Sequence, residues 1–389
     1  MKVVAFPLAV LLAFAATASR VGADDPLTAV TLETIDLTDQ LRRQVVVDRE
    51  TGLYLGYPTT ALLDDGQSML CIYAKGRGRG ALLYKRSEDG GKTWGPRLDT
   101  PENWSTSKGV PNLHRVIDAE GKRRNLLWAG MYPARTAVSD DEGKQWSELK
   151  PAGDWGGSMV MGCVEALNTK GHYLAMFHDD GRYFTERGGS TETVTVYKSL
   201  STDGGLTWSR PEAVFRSDEI HLAEPACIRS PDGKRLAVLL QESRLRKNSH
   251  VMFSDDEGKT WTQPRELPLA LTGERHVARY DSDGRLMVSF RCRSPYRSAN
   301  TRPFEGSCVA WVGTWDDIAN GKQGQYNVRL KENTKGYDTG YSGVELLGDG
   351  TFVATSYGHW DEGLDPYILS VRLKLAELDG MSKGLAASE

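Results

Sequence analysis

The sequence predicts an all-β fold, a six-bladed β-propeller, on three observations. The first is an eight-residue block that occurs four times: Ser87-Glu-Asp-Gly-Gly-Lys-Thr-Trp94, Ser139-Asp-Asp-Glu-Gly-Lys-Gln-Trp146, Ser201-Thr-Asp-Gly-Gly-Leu-Thr-Trp208 and Ser254-Asp-Asp-Glu-Gly-Lys-Thr-Trp261. Its tryptophans lie 52, 62 and 53 residues apart. Self-similarity at that period marks an array of one supersecondary unit, and a propeller blade is the usual unit of that size. The second is a set of six segments, each with a short strand, a turn at Asp-Gly or its equivalent, and an apolar second strand. The third is the lack of any strong helical period along the chain.

Taken in order, residues 1–23 read as a secretory signal. Lys2 is a short basic start, Val3 to Ala16 is nearly all apolar, and Val21-Gly22-Ala23 suits a small-residue cleavage site. The mature chain is therefore expected to begin near Asp24, to be secreted or periplasmic, and to form one domain over residues 24–389. Residues 28 to 50 are expected to supply an outer strand that closes the ring. The six blade openings are Tyr57-Pro-Thr-Thr, Pro111-Asn-Leu-His114, Met161-Gly-Cys-Val, Glu224-Pro-Ala-Cys, Arg275-His276-Val-Ala and Tyr341-Ser-Gly-Val. Turns at Asp65-Gly66, Asp232-Gly233, Asp283-Gly284 and Asp349-Gly350 lead into second strands such as Met69 to Tyr73, Leu236 to Leu240 and Phe352 to Ser356. Gly313-Thr-Trp315-Asp-Asp looks like a decayed copy of the eight-residue block, and Leu373 to Leu378 like one short terminal turn.

Each residue type in the block has a physical task. The Asp folds its carboxylate back onto backbone N–H groups of a tight turn. The Gly supplies a positive φ, and Thr and Trp re-enter a strand. The blocks are thus blade scaffold, remote from any chemistry.

Net charge is −4 and no basic stretch is long, which argues against nucleic acid or a membrane surface as partner. No segment after the signal is long and apolar enough to span a bilayer. The five cysteines show neither CxxC spacing nor a zinc pattern, and no metal or other cofactor is called for. Cys292 and Cys308 could staple one hairpin in an oxidising compartment, and isolated buried thiols suit the sequence equally.

In a propeller, the loops that open the innermost strands and those that leave the second strands meet at one end of the central channel. Here those positions hold Tyr57, His114, Glu224, Arg275, His276 and Tyr341 on one side. The others are Lys75, Arg77, Arg79, His178, Asp179, Asp180, Gln241, Glu242, Arg244, Arg291, Arg293 and His359. Converging Arg, His, Glu and Tyr side chains suit an anionic ligand, so the mouth is expected to be cationic although the whole chain is slightly acidic.

The block Ser-x-Asp-x-Gly-x-Thr-Trp resembles the Asp box of the sialidase superfamily, and the likeness in boxes and fold covers nearly the whole chain. Gly340-Tyr341-Ser342-Gly-Val-Glu resembles the sialidase segment with the nucleophilic tyrosine, and Glu224-Pro-Ala-Cys-Ile-Arg-Ser-Pro-Asp-Gly the segment with its partner glutamate. The resemblance implies an exported exo-glycosidase acting on sialic acid or a related acidic sugar. Tyr341 would be the nucleophile and Glu224 its base, while Arg275, Arg291 and Arg77 or Arg79 would hold the sugar carboxylate, with Arg244 just beyond. A neutral phenol suits an anomeric carbon that already bears a carboxylate, because a carboxylate nucleophile would approach against like charge. Arginine forks suit the carboxylate itself.

Two departures stand out. The family opens its first blade with Arg-Ile-Pro, where this chain has Gly56-Tyr57-Pro58. The family's acid/base aspartate has no clear counterpart; Asp179, Asp180 and Asp338 are the available carboxylates. Two other readings share the scaffold. One is a polysaccharide lyase or other hydrolase with His114, His178 or His276 as base and arginine neutralising a uronate. The other is a glycan-binding propeller without turnover. In all three the partner is a glycan, and oligomeric state is left open.

Overall fold

In the computed structural model, which describes residues 25–78, 80–184, 193–296 and 304–386, the strands form six sheets. Blade 1 has Leu55–Leu62, Met69–Lys75 and Leu82–Ser87. Blade 2 has Asn112–Ile117, Arg123–Ala129, Arg135–Ser139 and Lys150–Pro151, and blade 3 has Val160–Ala166, Tyr173–Asp179, Thr195–Ser201 and Glu212–Arg216. Blade 4 has Leu222–Arg229, Leu236–Glu242, His250–Ser254 and Arg265–Glu266. Blade 5 has Gly273–Tyr280, Leu286–Cys292, Cys308–Gly313 and Tyr326–Lys331, and blade 6 has Gly340–Leu346, Phe352–Gly358 and Tyr367–Leu373. Each innermost strand packs against that of the next blade, and the sixth returns to the first, so the six sheets form a closed propeller. The expected signal segment lies outside the described residues.

The ring closes with two N-terminal strands, where the sequence suggested one. Gln44–Asp48 pairs antiparallel with the last strand of blade 6, and Glu33–Asp36 pairs parallel with the outer strand of blade 5. Two more expectations are corrected. The segment at Trp315 is a short helix, Trp315–Asn320, because the Thr314 and Asp317 side chains cap each other's backbone N–H groups and Gly321 ends it in the left-handed region. It stands where blades 1 to 4 carry the box. The C-terminal turn is instead a helix of 12 residues, Leu375–Ala386, with Leu375 and Leu378 buried in the core between blades 5 and 6.

The apolar core lies between blades rather than in the centre. Leu70, Ile72 and Ala74 of blade 1 meet Leu113 and Leu127 of blade 2, and Leu239 and Val251 of blade 4 meet Val288 and Trp311 of blade 5. Each fully buried leucine, isoleucine or valine among them contributes about 1.5–3 kcal/mol. The boxes sit at these seams. In the first, the Ser87 hydroxyl accepts from Gly91 N–H at 2.8 Å, and Asp89 accepts from Lys92 N–H, Thr93 N–H and the Thr93 hydroxyl at 2.9, 2.9 and 2.6 Å. The two threonine bonds recur around Asp203 and Asp256. In the second box Gly143 (φ +80°) lies so close to blade 1 that a Cβ there would stand 2.5 Å from Leu70 Cδ1. The box glycine therefore serves both the turn and the seam between neighbouring blades.

Candidate functional site

Four innermost strands enter the channel mouth through the same backbone irregularity. In blades 1, 4, 5 and 6 the pairing with the second strand slips by one residue between Gly56 and Thr59, Ala223 and Ala226, Glu274 and Val277, and Gly340 and Gly343. Each bulge holds a non-glycine residue in the left-handed region: Tyr57 at φ +59°, Glu224 at +52°, Arg275 at +63° and Tyr341 at +54°. L residues resist that conformation, and bulges that impose it gather at functional sites because they re-aim a side chain. Blade 3 has the bulge too, but with Gly162, where a Cβ would lie 2.2 Å from the Pro225 carbonyl oxygen beside Glu224.

The re-aimed side chains meet. Tyr341 Oη donates to Glu224 Oε1 at 3.4 Å. Arg275 Nε lies 2.9 Å from the same oxygen, and its guanidinium carbon lies 4.0 Å from the centre of the Tyr341 ring. Tyr57 meets Tyr341 edge-on, with centroids 4.7 Å apart, and Tyr357 lies 4.9 Å from Tyr57. Burial raises the Glu224 carboxyl above its ordinary range, against the pull of Arg275. Burial and the Glu224 charge push the Tyr341 phenol up to about 12, although Arg275 and Arg291 work the other way.

Above this group opens a cavity of about 570 Å³, lined among others by Tyr54, Tyr57, Arg77, Arg291, Arg293 and Asp338. That volume suits a sugar unit with part of its aglycone. Four cations, Arg77, Arg291, Arg293 and Lys335, face two carboxylates, Asp338 and Asp365, in its wall, so the mouth carries an excess of positive charge. Glu274 sits behind, with Arg291 Nε at 2.6 Å and Arg293 Nη1 at 2.9 Å. Arg291 also donates to the Tyr337 and Thr339 carbonyls at 2.7 and 3.0 Å, which fixes its fork. Asp338 accepts from Tyr54 at 2.7 Å, Tyr357 at 3.2 Å and Arg77 at 3.3 Å, and lies 3.2 Å from His359 Nε2. Below the mouth, a channel cavity of about 140 Å³ is bounded by Glu224, Arg275, His114, His276 and the inner strands.

The structure thus brings together Tyr341, Glu224, Arg275, Arg291 and Arg77. Tyr57, Arg293 and His359 line the mouth as well, but the remaining candidates do not. Asp179 is fully buried and accepts from the N–H groups of Gly181, Tyr183 and Phe184 at 2.7, 3.3 and 3.2 Å, so it holds its own loop. Asp180 pairs with Arg182 at 2.9 Å. Neither carboxylate lines either cavity. Arg244 is exposed on the loop after blade 4's second strand and lines neither cavity, and Arg79 lies outside the described residues. His178 Nδ1 accepts Glu224 N–H at 3.1 Å and so steadies the bulge; burial brings its ring down to about 3. His276 donates from Nε2 to the Leu271 carbonyl at 3.1 Å. Burial lowers His276 to about 4 and His114 to about 3, and both line the channel.

Sequence reasoning missed Glu274, Tyr54 and Tyr357. Glu274 had a signal: the residue before the bulge is Gly56, Ala223 or Gly340 in the other three blades, and an acid there is out of pattern.

Comparison with known proteins bears on the fold. No curated protein matches the chain. Among solved structures, a protein of unknown function from Dyadobacter fermentans is similar with a TM-score of 0.65 at 17% identity, covering 85% of this chain and 98% of that one. The intramolecular trans-sialidase from Ruminococcus gnavus, in complex with oseltamivir carboxylate, gives 0.57 at 14% identity over 84% of this chain and 95% of its own. The Trypanosoma rangeli sialidase, as a covalent intermediate with 2,3-difluorosialic acid, gives 0.52 at 16% identity over 90% of this chain and 60% of its own. At these identities the likeness is one of fold: a six-bladed, sialidase-like propeller. The family model of the BNR repeat-like domain matches residues 11–267, and the chain belongs to that family.

Proposed function

We propose that the chain is an exported exo-glycosidase that removes a terminal acidic sugar, of sialic acid type, with retention of configuration. One observation carries the reading: Tyr341 and Glu224, each aimed by a left-handed bulge, share a hydrogen bond of 3.4 Å beneath a sugar-sized cavity. In this reading Glu224 takes the phenolic proton as Tyr341 attacks the anomeric carbon. Burial raises the proton affinity of Glu224, and the Arg275 guanidinium over the ring stabilises the phenolate as it forms. Arg291, Arg293 and Arg77, all in the cavity wall, face the substrate carboxylate. Asp338, in the cavity wall beside His359, is the carboxylate placed to exchange a proton with the leaving group. In the second half a water gives a proton to Asp338 and attacks the anomeric carbon, and the departing Tyr341 phenolate takes its proton back from Glu224.

Release of free sugar from a synthetic sialoside and from mucin tests the reading, with wild type beside Tyr341→Phe and Glu224→Gln. Free sialic acid from wild type alone supports it; equal release by all three contradicts it.

A second reading rests on a different observation. Gly56 stands where sialidases open with arginine, and Tyr57 beside it belongs to a group of four tyrosines with Tyr54, Tyr341 and Tyr357. Such a platform stacks on the apolar face of a pyranose, which favours a sugar held more by its ring than by a carboxylate. Release from neutral nitrophenyl glycosides but not from the sialoside would favour this reading.

A further inference from the structure

Cys163 and Cys227 lie on the innermost strands of blades 3 and 4, and their sulfurs are 2.8 Å apart across the seam. Both residues line the central channel cavity. Thiols that share no bond do not normally approach so closely, and a disulfide needs a separation of about 2.05 Å, so a movement of less than about 1 Å joins them. Cys71 is fully buried in blade 1, and the Cys308 sulfur sits 3.7 Å from the Ser342 hydroxyl.

We propose that Cys163 and Cys227 form an inter-blade disulfide in the channel wall. The oxidant is a disulfide, either a small-molecule one or that of a dithiol oxidase. One cysteine thiolate attacks it, forming a mixed disulfide and releasing one thiol. The second thiolate then displaces the other thiol and closes the Cys163–Cys227 bond. Two protons leave the cysteines, and their two electrons reduce the oxidant.

The position gives the bond a consequence. Cys227 follows Glu224 by three residues on the same strand, and Cys163 follows Gly162, which abuts Pro225. The bond therefore staples the Glu224 bulge to blade 3 and closes a loop of 64 residues. It is independent of what the site above it cleaves.

Thiol counting tests the proposal. The full chain is exposed to oxidised glutathione, acid-quenched, and alkylated with iodoacetamide in guanidinium, before and after reduction. With five cysteines in the chain, the expected result is three alkylated thiols before reduction and five after, with a peptide linking Cys163 to Cys227. Five alkylated thiols before reduction, or a bond joining any other pair, overturns it. In Cys163→Ser all four remaining thiols alkylate without reduction; a disulfide that survives there also overturns it. In the oxidised wild type, dithiothreitol lowers Tm by roughly 3–5 °C.

Discussion

Glu224 and Tyr341 stand 117 residues apart in the chain, yet each projects from the same bulge at the head of an innermost strand, and they meet at 3.4 Å across the channel. The fold reaches that meeting by repetition. Five of the six blades offer one such position, blade 2 being paired in unbroken register, and the sequence of each blade decides which side chain is presented there. Strain at four such positions is held because the seams on either side are fully packed.

The pair should act as a unit. Tyr341→Phe and Glu224→Gln are each expected to lower kcat by about 10²–10⁴-fold; circular dichroism stays near wild type in both, and Tm does so in Tyr341→Phe, whereas Glu224→Gln lowers it because buried Arg275 loses its carboxylate. Steady-state kinetics on a sialoside with an activated leaving group measures this. If the double variant loses no more than either single one, the two groups serve one step.

The pH profile follows from the direction of the Glu224 shift. A base must be ionised, and burial raises this carboxyl above its ordinary 4.5. Activity is therefore lost as pH falls through a value above 4.5, so kcat/KM has an acid limb higher than an exposed glutamate would give. In Glu224→Gln that limb should vanish from the residual rate.

Glu274 sets the charge and aim of two arginines. It is buried and pairs with half-buried Arg291, and removing its charge leaves that guanidinium without its carboxylate. Glu274→Gln should destabilise the fold by about 3 kcal/mol and raise KM for an acidic substrate more than it lowers kcat. Denaturant melts and initial rates read the two effects separately.

The boxes predict both a mutational contrast and an acid limit. Gly143→Ala forces a Cβ against Leu70 in a left-handed turn, whereas Gly66→Ala meets open space at a similar φ. The first should cost about 2–4 kcal/mol and the second about 1, read from urea midpoints. The carboxyl of Asp256 is brought down to about 2 by the Thr260 hydroxyl and N–H, and Asp89, Asp141 and Asp203 are lowered likewise against the effect of burial. Their contribution is complete above the ordinary carboxyl value near 4 and is lost as pH falls toward 2. Acid unfolding followed by tryptophan fluorescence should fall in that window.

Much of this was legible in advance because the repeat is local. Box, turn and second strand lie within one stretch of each blade, and the alignment of six openings placed Tyr57, Glu224, Arg275 and Tyr341 at equivalent positions. The bulges were not legible, since register is a property of two strands and no motif marks it. The helix at Trp315 carried its capping signal at Thr314 and Asp317, but Trp-Asp-Asp after a Gly-Thr looked like a worn box. Asp179 offered a carboxylate in the right loop; only the structure reveals three backbone N–H groups closing on it. Asp338 became prominent through Tyr54, Tyr357 and His359, which reach it from two blades.

The most direct test is to trap the nucleophile. An acidic-sugar glycosyl fluoride, fluorinated also beside the anomeric carbon, forms the glycosyl–enzyme quickly and releases it slowly. Intact-mass analysis after brief exposure should show one added glycosyl unit per chain, and peptide mapping should place it on Tyr341, with no adduct in Tyr341→Phe. An adduct on any other residue, or turnover of the parent substrate with inverted configuration and no adduct, would contradict the account.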